Sequence, residues 1–147
     1  MEFVVLYCNK NQYEMFEKFA FKYSPVDFSK VNILVYDDNS TPKQKNKLRE
    51  LCLKYPNITW INPEVNEGAS APIFSAFRAA DEYLQKLENS PNWVLFFEND
   101  CFPFQKDFWE QLNNTITKYS FLNKRVGLFG FSNYQHYNNG VKAFSSG

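Results

Sequence analysis

Short apolar runs rich in β-branched and aromatic residues alternate along this chain with stretches of helical periodicity. That alternation restricts the fold more than any other feature. Phe3 to Cys8 is apolar on both faces, as a strand buried in a parallel sheet must be. Tyr13, Phe16, Phe19, Ala20 and Tyr23 then recur at helical spacing up to Ser24-Pro25. Val31 to Tyr36 predicts a second strand, halted by Asp37-Asp38-Asn39-Ser40. The next helix is announced by Thr41 as cap, Pro42 at the first position and Gln44 completing a capping box. Leu48, Leu51, Cys52 and Tyr55 lie along one side of it. Ile58 to Ile61 predicts a third strand, and the loop from Asn62 to Gly68 leads into a helix with Ile73, Phe77, Ala80, Leu84 and Leu87 inward. Trp93 to Phe97 is the fourth strand. Asp107 and Glu110 open a helix with Trp109, Leu112, Ile116 and Tyr119 on one face, and Val126 to Phe131 is the fifth strand. The expected product is an α/β three-layer sandwich, a mostly parallel sheet covered by helices on both faces, in a single domain over residues 1–147. The aromatic pairs Phe16–Phe19 and Phe74–Phe77 read as core.

Composition removes several classes of function. With 44% hydrophobic residues, 16 Phe and 9 Tyr, the 147-residue chain can bury a core, so disorder is excluded. Zero formal net charge argues against a nucleic-acid binder that relies on a broad basic face. No apolar segment approaches the roughly 20 residues that span a bilayer, and Met1-Glu2-Phe3 opens a strand instead of a signal peptide. Cys8, Cys52 and Cys101 are odd in number and widely spaced, which fits a reducing, cytoplasmic compartment better than a disulfide framework or a zinc ribbon. In that setting the Asn-x-Ser/Thr matches at Asn39, Asn57 and Asn113 are coincidental. Gly-x-Gly-x-x-Gly and Gly-x4-Gly-Lys-Ser/Thr loops are both missing, which disfavours Rossmann dehydrogenases and P-loop NTPases. The single histidine, His136, excludes two-histidine zinc sites.

In open α/β sheets ligands bind outside the carboxyl ends of the strands. Polar residues gather at those ends here: Asn9 after the first strand, Asp37-Asp38 after the second, Asn66 and Gly68 after the third, Glu98 and Asp100 after the fourth. Adjacent strand residues face opposite ways, so Asp37 is expected to turn inward and Asp38 to serve a ligand. An ionised Asp38 can accept hydrogen bonds from a base N–H or ribose hydroxyls. Asp100 can ligate a hard divalent cation that bridges a diphosphate and offsets charge on a departing nucleotide.

These stretches resemble glycosyltransferases of the GT-A fold, particularly those like family 2, from Phe3 to about Phe131. The resemblance consists of the strand–Asn9 opening, Val35-Tyr36-Asp37-Asp38-Asn39-Ser40-Thr41, the Asn66-Glu67-Gly68 loop, and Phe97-Glu98-Asn99-Asp100-Cys101-Phe102-Pro103 in place of the family's DxD motif. Asp-Asp-x-Ser-Thr after a buried strand is its most specific part; Glu98 replaces the first Asp of the motif. The resemblance implies a nucleotide-diphosphate sugar donor bound by Asn9, Asp38, Asn66, Gly68, Glu98 and Asn99, with Mn²⁺ or Mg²⁺ held by Asp100. The sugar would pass, as in a hexosyltransferase, to a saccharide, lipid or protein acceptor that is not identified.

The chain departs from the family in two places. Ala71-Pro72-Ile73-Phe74 stands where an Arg-Asn pair is common. No carboxylate follows Glu110, where inverting members place a general base. Three readings accommodate that absence: a truncated, donor-binding module without turnover; an unexpected base, for which His136 is the one candidate titrating near neutral pH; or a retaining reaction without a protein base. A hydrolase built on Cys101 and His136 rests on residue types alone.

Overall fold

The computed structural model describes residues 3–63, 72–91, 93–98, 102–120, 128–131 and 141–144. The chain divides into two compact units, Met1–Phe104 and Gln105–Gly147. The first holds a four-stranded, all-parallel sheet in the order β3-β2-β1-β4, formed by β1 (Phe3–Asn9), β2 (Ile33–Asp37), β3 (Ile58–Trp60) and β4 (Trp93–Phe97). The expected α/β class with a parallel sheet is what the chain adopts. β1 is buried at every position, as its lack of polar alternation requires.

The odd-numbered residues of the central strands face α1 (Tyr13–Glu17) and α2 (Pro42–Lys54); the even-numbered ones face α3 (Pro72–Leu84). Much of the chain's phenylalanine content gathers on the first face. Tyr7 stacks on Phe16 at 4.3 Å between ring centroids, and Phe102 lies within 5.5–6.4 Å of Tyr7, Phe16, Phe19 and Phe28. Each buried ring of this size contributes about 2–3 kcal/mol through area removed from water. The α3 face is thinner: Val4, Leu6, Cys8, Leu34 and Tyr36 pack on Ala76, Ala80 and Leu84.

Three sequence expectations are corrected. α1 runs into a π turn, Lys18–Lys22, in which the Tyr23 N–H donates to the Lys18 carbonyl five residues back. The extra residue shifts the helical phase, so Tyr23 is exposed while Tyr13, Phe16 and Ala20 stay buried. In α3 the inward line is Ala76, Ala80 and Leu84. Ile73, Phe77 and Leu87 are each about 40% exposed and Phe74 is 79% exposed, so the Phe74–Phe77 pair is not core. Two alanines four residues apart let the helix approach the sheet closely, which displaces the larger side chains to its flank; there Phe77 meets Phe96 at 5.1 Å. Thr41 caps α2 through Gln44 N–H, but Gln44 does not return the bond. Its side chain instead accepts from Tyr13 N–H (3.0 Å) and donates to Glu14 (2.8 Å), joining α2 to α1.

In the second unit, α4 (Phe108–Ser120) buries Phe108, Leu112 and Ile116. β5 (Leu128–Phe131) pairs antiparallel with β6 (Val141–Phe144), a strand that the sequence reading did not include. Residues 126 and 127 of the expected fifth strand lie outside the described residues. No helix among the described residues is long and apolar enough to cross a membrane.

Candidate active site

Parallel register aligns the strand ends. Cys8 pairs with Tyr36 and Asn9 with Asp37, while Tyr7 pairs with Phe97, so Glu98 follows β4 beside the end of β1. β2 and β4 flank β1 on opposite sides, so the ends of all three strands meet along one edge of the sheet. Ligands of open α/β sheets bind outside such strand ends.

The two carboxylates ending β2 have different surroundings. Asp37 is 3% exposed; it accepts from Tyr13 Oη at 2.7 Å and Ser40 N–H at 3.0 Å, with Lys45 Nζ at 3.9 Å. Burial and then the Asp37 charge push the Tyr13 hydroxyl well above its ordinary range, so it remains a hydrogen-bond donor. Asn62 clamps the Asp37 backbone from β3, accepting its N–H and donating to its carbonyl, each at 2.9 Å. Asp38 is fixed by its N–H to the Asn9 carbonyl (2.8 Å), and its half-buried carboxylate lies 3.9 Å from Lys10 Nζ. Of the two carboxylates, Asp37 is bound up within the fold and Asp38 is the more accessible.

By register Asp38 and Glu98 follow the two strands that flank β1. Burial pushes the Cys8 thiol up to about 12, and Asp38, Glu98 and Asp37 add to the effect in that order, so the thiol stays protonated. Glu98 itself is exposed. Phe97 and Phe102 both pack against Phe28.

Asn9 is 1% exposed; its Nδ2 donates to Tyr7 Oη at 2.9 Å and its Oδ1 accepts from Gln12 N–H at 3.1 Å. Asn66, Gly68, Asn99, Asp100, Cys101 and His136 lie outside the described residues. Among the described residues no three His, Cys, Asp or Glu side chains come together as a metal centre. The donors at the rim are carboxylate oxygens beside a protonated thiol, a set that suits a hard cation better than a soft one.

A cleft of about 240 Å³ lies between α3 and the ends of β2 and β3. Tyr36, Ile61, Asn62, Ser75, Arg78 and Glu82 line it. Its one sequence signal was Asn62-Pro63 closing a strand; Ser75, Arg78 and Glu82 look like ordinary surface residues of a helix until the helix is docked.

A parallel sheet covered by helices, with carboxylates at the ends of β2 and β4, makes this an open-sheet α/β domain. The family model for glycosyl transferase family 2 matches residues 11–126, well over half of the chain, and the chain belongs to that family. Its general chemistry is therefore glycosyl transfer, and the family implies a nucleotide-sugar donor. No significant match is found among curated proteins or solved structures.

Proposed function

We propose that this domain binds a nucleotide-diphosphate sugar at the carboxyl ends of β1, β2 and β4 and transfers the sugar to an acceptor. The observation that carries the proposal is the parallel register that brings Asp38 and Glu98 to the ends of the two strands flanking β1. Asp38 accepts from the base or ribose, exchanging its loose Lys10 contact for hydrogen bonds to uncharged donors. Glu98 and Asn99 face the ribose or metal-bound water, Asn66 and Gly68 form the wall, and Asn9 supports the floor from its buried position. Asp100 holds Mn²⁺ or Mg²⁺, which when bound supplies charge neutralisation on the leaving diphosphate. A reducing, cytoplasmic compartment suits the odd, widely spaced cysteines of the sequence.

Calorimetric titration with UDP, GDP and dTDP, with and without Mn²⁺, tests this. Metal-dependent binding of one nucleotide, lost in Asp100→Ala, is expected. No binding by any of them, or undiminished binding in Asp100→Ala, overturns it.

The missing carboxylate after Glu110 favours a second reading, in which donor is held without turnover. Metal-dependent hydrolysis or transfer of the sugar nucleotide by this chain would exclude that reading. Loss of such turnover in His136→Ala, with donor affinity intact, would give His136 the part of the base.

A further inference from the structure

We propose that Asn11 is a positioning residue for Asp38, controlling donor affinity without touching the donor; this rests on Asp38 contacting the nucleotide. Asn11 lies in the loop after β1, with φ of 58° in the left-handed region that asparagine tolerates better than most residues. In that conformation both of its polar arms reach the loop after β2. Its N–H donates to Ser40 Oγ at 2.9 Å, and its Oδ1 accepts from Thr41 N–H at 2.8 Å. Ser40 in turn donates its N–H to the buried Asp37, and Asp38 donates its own to the Asn9 carbonyl. The facing loop also contains a left-handed non-glycine residue, Asn39, with φ of 53°.

Asp38 and Asn39 are thus held between two ties, Asn9 on one side and Asn11 on the other. Lys10, whose ammonium is 3.9 Å from Asp38, sits between the same two asparagines. Asn11 is exposed, and its bond to Thr41 is solvent-accessible, so water replaces it at little cost in global stability. Its physical consequence is to narrow the positions open to Asp38. Paired left-handed residues on facing loops at a strand-end rim are where constrained backbone serves a site.

Asn11→Gly keeps the left-handed backbone and the N–H to Ser40 but removes the acceptor for Thr41. Asn11→Asp keeps the acceptor. Two measurements separate the possibilities: amide hydrogen exchange at Asp38 and Thr41 in the ligand-free chain, and calorimetric affinity for UDP, GDP and dTDP with Mn²⁺. The expected result is about tenfold faster exchange and about tenfold weaker binding in Asn11→Gly. Asn11→Asp should stay within about twofold on both, with thermal midpoints close to the parent's. Unchanged exchange at Asp38 in Asn11→Gly overturns the proposal, as does parental affinity in that variant when Asp38→Asn binds more weakly. If the parent binds no nucleotide, the donor reading fails. The link from Asn11 to donor affinity fails with it, and exchange alone then decides whether Asn11 positions Asp38.

Discussion

The two faces of the parallel sheet are built by different means. Under α1 and α2, large rings pack beside buried carboxylates whose oxygens are hydrogen-bonded. Glu17, 4% exposed, is reached by Lys54 at 2.6 Å, Lys47 at 2.9 Å and Lys22 at 3.5 Å, with Tyr55 Oη at 3.3 Å. Under α3, the contact is made by two alanines and a leucine, and aromatic side chains remain on the flank. The difference teaches that one face holds the strands in place. The other meets α3 through small side chains and leaves a cleft lined by Tyr36, Asn62, Ser75 and Arg78.

The comparison breaks most sharply at Phe16, which stacks on Tyr7 and Phe102. Phe16→Ala should lose about 4 kcal/mol in denaturant unfolding, since a ring-sized cavity opens in a packed face. Next comes Glu17. Hydrogen bonds from Lys47 and Lys54 lead the causes that hold its carboxyl at about 2, against an ordinary 4.5. The stability this carboxylate contributes is complete above the unfolded-state value and drains away as pH falls toward the folded one. Glu17→Gln should therefore lower the thermal midpoint at pH 7 and flatten its decline between pH 4.5 and 2. A parental acid limb in that variant would show that the lysine cluster is not coupled to folding.

Smaller effects are expected on the ligand side. Asp38→Asn should weaken nucleotide binding about tenfold, equivalent to about 1.4 kcal/mol, while leaving the unfolding midpoint unchanged. Asp37→Asn should do the reverse, because its carboxylate serves Tyr13 and Ser40. Equal effects of the two substitutions on binding would remove the distinction between the faces. At the end of the scale, Phe74→Ser should change stability by less than about 0.5 kcal/mol, as Phe74 is 79% exposed.

The alternation of apolar runs and helical stretches was enough to place β1, β2 and β4 to within a residue or two, because strands buried on both faces carry an unbroken apolar signal. The inner line of α3 was not legible. Hydropathy favours Ile73 and Phe77, whereas close approach to a sheet favours Ala76 and Ala80, and only docking decides between them. Gln44 shows the same limit. Its position matches a capping box, yet α1 lies near enough to take its side chain. The partners of Glu17 come from residues 22, 47, 54 and 55, and no local pattern announces a buried carboxylate gathered from such distances.

The sequence by itself determined the α/β class, the family, and the identity of the rim acids, since each depends on residues close together in the chain. Tertiary structure decided which acid of the Asp37-Asp38 pair is buried against Tyr13 and Ser40. It placed Glu98 beside Cys8 across β1 and closed the two strand-end loops through Asn11. Those outcomes depend on register between strands and on how helices seat on the sheet. Both are set by packing between segments tens of residues apart, where local hydropathy carries no information.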